Sequence, residues 1–212
     1  MASVTFDQFL PEVQPEAPGV PYPVVINAIR NACYDFCRQS LIWNELQDAE
    51  GYTAGTAEYQ VSPPAGAQVI QILNITLDNG RHLQPASIDE TTVARPLWQT
   101  QQGVIEWFVQ TAPDTFRFVA VPDTAGNFSA QVAYAPTRAA TSVDASIYNL
   151  YLESIKYGAL WKIKVMAGTA WGDPAGAQYY EGEFRKAIGR AITDRTRSNS
   201  RASIRVQPVW FV

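Results

Sequence analysis

Apolar positions along the chain recur at helical spacing in three blocks, and a long middle block follows the two-residue period of strands. In the first block Ile26, Ile29, Cys33, Phe36, Cys37 and Leu41 step by three and four residues. Arg30, Asn31, Asp35, Arg38 and Gln39 fall mostly off that face. The spacing predicts a helix from Val24 to about Glu45, opened by Pro23, a residue suited to a first helical turn. In the second block Tyr148, Leu152, Ile155, Ala159, Ile163 and Met166 form a stripe behind the capping candidates Asp144 and Ser146. Leu150, Tyr157, Leu160 and Trp161 add apolar surface on other sides, which predicts a helix buried on more than one face. Gly158-Ala159 allows another helix to approach closely. Gly168 ends the second helix, and Trp171-Gly172-Asp173-Pro174 makes a turn with Pro174 opening the third. That third helix carries Ala177, Tyr180, Phe184, Ile188 and Ala191 inward and Glu181, Glu183, Arg185, Lys186, Arg190, Asp194 and Arg195 outward.

Between the first two helices the pattern changes. Val69–Leu77 is apolar and β-branched, Asp78-Asn79-Gly80 is a tight-turn sequence, and Arg81–Gln84 returns as a second strand. Further strands are predicted over 104–110, 115–121 and 127–135, punctuated by Ala112-Pro113-Asp114 and by residues 122–126. Their spacing suggests an antiparallel meander, a small sandwich or a barrel. Residues 1–23 hold five prolines and read as an extended arm, because proline fixes φ and removes a donor. After Thr196 comes the polar run RSNSRAS. Then Ile204, Val206, Pro208, Trp210 and Val212 alternate with Arg205, Gln207, Val209 and Phe211.

The fold class is therefore α+β: a three-helix bundle core interrupted by an antiparallel β module, with an extended N-terminal arm and C-terminal tail. The boundaries are 1–23 for the arm, 24–50 and 140–197 for the helical bundle, 51–139 for the β-rich insertion and 198–212 for the tail.

Composition adds a lean toward assembly. Charged residues are 17 % and the chain carries six Trp, ten Tyr and nine Phe, an aromatic content suited to buried interfaces. The net charge of −4 is uneven: 6 Lys and Arg face 16 Asp and Glu in residues 1–155, against 10 and 4 in residues 156–212. The basic run Arg185, Lys186, Arg190, Arg195, Arg197, Arg201, Arg205 is a candidate phosphate surface, although no aromatic platform interleaves it before Trp210. No apolar run approaches the length of a membrane span, no signal-peptide pattern opens the chain, and Cys33 and Cys37 sit on one helix without disulfide geometry. These features imply no membrane partner and synthesis in a reducing cytoplasm.

Catalytic chemistry finds no foothold. His82 follows the hairpin turn without a GxSxG partner. Cys33 and Cys37 are at most half of a zinc site. The carboxylate pairs Asp89-Glu90 and Asp48/Glu50 read as solvated loop acids, and no phosphate-binding loop is present. Catalytic, cofactor and metal residues are accordingly expected to be none.

The order of these elements resembles the head-to-tail adaptor (connector) proteins of tailed bacteriophages, of the podovirus type. The resemblance rests on Gly158-Ala159, the turn at Trp171-Gly172-Asp173-Pro174, and Tyr179-Tyr180 with Phe184. It rests also on Pro21-Tyr22-Pro23 followed by a helix containing Phe36 and ending at Trp43, and on a β insertion between helices. It covers most of residues 20–195. It implies a virion structural protein without enzymatic activity: a homo-oligomeric ring, generally of twelve subunits, beneath the portal. Such a ring contacts portal and tail or nozzle proteins, and DNA passes through it without sequence-specific binding. The location implied is the head–tail interface of the virion, after assembly in the host cytoplasm. Alternatives are a stopper or tail-completion ring of different symmetry, or a soluble module whose β domain binds a ligand. Phe36, Trp43, Gly158, Ala159, Trp161, Trp171, Tyr180 and Phe184 are expected to serve helix packing and the turn. Ile204, Val206, Trp210, Phe211 and Val212 are expected to dock on the portal, the competing expectation being that the tail folds back on its own subunit.

Overall fold

In the computed structural model, which describes residues 2–197, the chain divides into two compact units: a helical unit, formed by residues up to Ile42 and from Thr141 onward, and a β unit of residues 43–140.

The helical unit is built on three long helices: α2 (Tyr22–Ser40), α4 (Ala145–Lys164) and α5 (Pro174–Thr196). With the one-turn α1 (Leu10–Val13) and α3 (Ile88–Ala94) of the β unit, the described residues hold five α-helices rather than three. Pro21 stands at the N-cap of α2 in extended conformation, and Pro23 lies in its first turn. The helix ends earlier than the apolar pattern suggested. Leu41 turns into the left-handed region (φ 53°) while its N–H still bonds Cys37 O at 2.8 Å. Residues 43–47 are thus not a fading helix. Asp144 caps α4 through Ser146 N at 2.8 Å, and Asp173 caps α5 through Gly176 N at 3.0 Å. Helix α4 packs against both α2 and α5 and buries Ile147, Ile155, Gly158, Ala159, Leu160 and Ile163. Burial around most of its circumference explains why its apolar residues do not form one stripe. The helix ends at Lys164, before the Gly168 that the sequence pattern made its terminus, so Met166 lies outside it and is exposed, as is Leu150 within it.

The N-terminal segment is not an extended arm. A strand β1 (Ser3–Thr5) pairs antiparallel with β12 (Ser142–Asp144), and residues 6–16 coil through two 3₁₀ turns around α1. Phe6, Phe9, Val13, Ala17 and Val20 are buried. Their steps of three and four residues form an apolar ladder. The prolines do not prevent it, because Pro11 and Pro15 occupy first-turn positions whose N–H groups need no helical partner. Phe9 meets Tyr148 edge to face at 5.0 Å.

The β unit carries an eight-stranded sheet. Along its path run β2 (Asn44–Leu46), β11 (Gly126–Pro136), β5 (Ala67–Leu77), β6 (His82–Pro85), β8 (Trp107–Ala112), β9 (Thr115–Val119) and β4 (Glu58–Gln60). The eighth strand, β3 (Glu50–Tyr52), also pairs β11. The β5–β6 hairpin turns at Asp78-Asn79-Gly80, where Gly80 adopts φ 79° and bonds Leu77 O at 2.9 Å. The sheet is not wholly antiparallel. Gln84 and Pro85 of β6 pair in parallel with Trp107 and Phe108 of β8, with α3 lying between them in sequence. A second parallel pair joins β7 (Gln102–Gly103) to β10 (Val121–Pro122). The sheet curls around aromatic rings from distant strands: Tyr59 of β4 lies 5.5 Å from Phe128 of β11, and Tyr52 of β3 lies 5.6 Å from Phe118 of β9. Phe116 touches Phe108, Phe118 and Phe128 edge to face at 5.2–6.3 Å.

Candidate assembly surfaces

At Gly158 the three long helices meet without room for a side chain. A Cβ placed there would stand 2.7 Å from Phe184 and 2.9 Å from Ala32, so a hydrogen at this position is what admits α2 and α5. Phe184 contacts Phe36 at 6.2 Å and Trp161 at 6.1 Å, and Phe36 contacts Tyr151 at 5.1 Å. Ala159 is fully buried beside them, while Trp161 is half-buried. Tyr180 stacks on Tyr157 at 6.2 Å and donates its hydroxyl to Glu16. The same carboxylate receives Lys156 at 2.7 Å. The Lys156 hydrogen bond, then that of Tyr180, hold the Glu16 carboxyl below its usual range; burial, then the hydrogen bond its hydroxyl donates to Glu16, push Tyr180 up. Gly172 sits where a Cβ would lie 2.6 Å from Met166 O, which explains the glycine after Trp171. The indole N–H of Trp171 is buried with no partner among the described residues.

Trp43 belongs elsewhere than at a helix end. It is buried in the β unit, edge-on to Tyr134 at 6.0 Å, with its indole N–H donating to Glu45 at 3.0 Å. Ile204, Val206, Trp210, Phe211 and Val212 lie outside the described residues.

The charge asymmetry of the sequence is redistributed by the fold. The three lysines of α4 pair with acids from other segments: Lys156 with Glu16, Lys162 with Asp35 at 2.5 Å, and Lys164 with Asp173 at 3.5 Å. On α5, Arg185 pairs with Glu181 and Lys186 with Glu183. The described part of the helical unit holds 10 basic and 10 acidic side chains, and is neutral. The β unit holds 4 basic and 10 acidic ones, a net −6. The acidic surface is therefore a property of the β unit, and Arg185 and Lys186 of the basic run are paired within α5 itself.

Exposed apolar side chains also cluster by segment. Ile88, Val93, Leu97 and Val104 face outward on and after α3, above a small core of Trp98, Val109 and Val119. Arg95 lies 4.4 Å over the Trp107 ring and pairs with Glu106 at 3.1 Å. On the helical unit Leu150, Val165 and Tyr179 are exposed. His82 Nδ1 lies 2.9 Å from Thr76 Oγ1 and 3.4 Å from Asn74 Nδ2, exposed side-chain contacts across the β5–β6 hairpin. No cluster of three or more His, Cys, Asp or Glu residues suited to a metal occurs among the described residues, and no described helix is long and apolar enough to cross a membrane.

Residues 4–207, running through both units, match the family described as SU10 adaptor protein. The chain belongs to that family. No curated protein matches it. As an SU10 adaptor protein it is a virion structural protein, a head-to-tail adaptor, and not an enzyme. In this adaptor the two units divide the surface chemistry. The described part of the helical unit is tightly packed and neutral, and the β unit is acidic with exposed apolar side chains along 88–104. The apolar ladder of residues 6–20 and the parallel β6–β8 pair escaped sequence reading. The ladder was legible in its three-and-four spacing once the prolines were placed in first turns.

Proposed function

We propose that this adaptor assembles as a ring of twelve copies beneath the portal, at the head–tail interface of the virion, after synthesis in the host cytoplasm. The ring extends the DNA channel and presents a platform to tail or nozzle proteins. The observation that carries the reading is the family match, which spans residues 4–207 and so takes in both units. The charge distribution supports the channel role. Each phosphate neutralised by a protein cation adds salt-dependent affinity that would retain DNA. A β unit of net −6, and a helical unit in which the lysines of α4 are paired, give passing DNA little to hold.

Electron microscopy of the full chain mixed with its portal tests the proposal. A closed ring of twelve copies attached to the portal is the expected result. A ring of another count would assign the chain to a stopper or tail-completion layer, and failure to attach would overturn the portal role. Retention of double-stranded DNA by the ring at physiological salt would overturn the passive channel.

A further inference from the structure

The sheet of the β unit has a strand-sized gap. On the side away from β11, β5 pairs with β6 only at Ile75 and Thr76. On the side away from β9, β8 pairs with β6 only at Trp107 and Phe108. The chain leaves the sheet after Pro85, because Ser87 caps α3 by accepting from Glu90 N at 3.1 Å. Beyond that point Ile72 of β5 and Gln110 of β8 approach each other with no described strand between them. A single side chain bridges the gap: Gln110 Oε1 accepts from Ile72 N at 3.2 Å, while its Nε2 donates to Pro113 O at 2.7 Å. A pocket of about 500 Å³ lies there, lined by Gln71 and Ile72, by Phe108, Val109 and Gln110, and by residues 85–89, where the chain turns into α3. Backbone edges facing each other across one missing strand are a site for β-augmentation.

We infer that this slot receives residues Ser203–Gln207 from a second copy of the chain. Four or five residues of strand, at about 3.3 Å each, continue β6 as far as β8 extends. Ser203-Ile204-Arg205-Val206-Gln207 alternates in the period a strand needs, with Ile204 and Val206 for the buried face and three polar residues for the exposed one. Pro208 follows, a residue that cannot donate to a ladder and so ends the insertion. The charges agree as well: residues 198–212 carry Arg201 and Arg205 and no acid, the slot holds Asp89, and its unit is net −6. A closed ring needs two different complementary patches on each subunit. A slot and a fitting tail are such a pair, and in this respect the inference rests on the ring proposed above.

Disulfide trapping in the full chain tests it. Cys33 and Cys37 are buried and their thiols pushed up by burial, so they stay silent. Chains bearing Gln71→Cys are mixed with chains bearing Ser203→Cys, Arg205→Cys or Gln207→Cys, with Asn79→Cys at the hairpin tip as the control partner. Cross-linked dimers are expected about tenfold or more above the control, since a seated tail is held at roughly millimolar effective concentration. The double variant Ile204→Asp/Val206→Asp should return the yield to control with the helical circular dichroism unchanged. Rings that form on the portal with cross-linking at control level would overturn the slot and favour docking of the tail on the portal. Preferential closure within one chain carrying both cysteines would overturn the second copy. If no ring forms, the adaptor ring fails, and mixing the two populations at raised concentration still decides the slot.

Discussion

Replacing Gly158 by alanine sets two effects of known size against each other. In a helix interior, alanine is favoured over glycine by about 0.8–1.0 kcal/mol. At this position the added methyl would lie 2.7 Å from Phe184 Cε2, 2.9 Å from Phe184 Cδ2 and 2.9 Å from the Ala32 Cβ. None of these groups can move cheaply. Phe184 is 1 % exposed and wedged against Phe36 and Trp161, and the Ala32 methyl is carried by the backbone of α2. Overpacking of a close-packed core costs about 1–3 kcal/mol. The contacts are short enough to place this site in the upper half of that range, so Gly158→Ala should destabilise by about 1–2 kcal/mol net. For a chain of this size that lowers Tm by about 2–8 °C. Gly189→Ala on α5 is the internal control, because a Cβ there meets nothing within 4 Å. It should stabilise by about 0.5–1 kcal/mol through propensity alone. Thermal and urea unfolding followed by circular dichroism measure both. Ala32→Gly carries its own propensity cost, so the double variant Gly158→Ala/Ala32→Gly should be less destabilised than the sum of the two single variants. A Gly158→Ala protein as stabilised as Gly189→Ala would refute the close three-helix junction.

Three further outcomes are expected. Phe116→Ala, which empties the centre of the aromatic core of the β unit, should cost about 3–5 kcal/mol in urea unfolding; a loss below about 1 kcal/mol would deny that core its role. The Glu16 carboxyl titrates below its ordinary 4.5 in the folded chain, so its contribution is present above that value and is lost as pH falls through the lower folded value. Glu16→Gln should flatten the acid limb of the stability profile, with an effect of about 0.5–1 kcal/mol at neutral pH because the group is partly exposed; an unchanged acid limb would remove Glu16 from the account. Cys33 and Cys37 should resist a thiol reagent at pH 8 in the native protein and react in step with unfolding; rapid native labelling would contradict their burial.

What the sequence determined by itself is what local spacing can encode. Helices α4 and α5, the turn between them with Pro174 at its end, and the Asp78-Asn79-Gly80 hairpin all follow from signals within a few residues of one another. The N-terminal ladder was equally local, in Phe6, Phe9, Val13, Ala17 and Val20, but five prolines outweighed it until their first-turn positions were known. Trp43 read as a helix terminus because nothing nearby in sequence announces that β11, some ninety residues later, supplies its Tyr134 neighbour. Strand partnership is non-local in the same way: an apolar run specifies that it will pair, not with which edge or in which direction. Hence the parallel β6–β8 pair was decided only by the tertiary structure, which also brings the Ile72 N–H within hydrogen-bond distance of the Gln110 side chain. The same holds for charge. A tally along the chain shows a basic final quarter, but Lys156, Lys162 and Lys164 find Glu16, Asp35 and Asp173 in space, and the uncompensated charge falls instead on the β unit, because ion pairs depend on distance and not on sequence order.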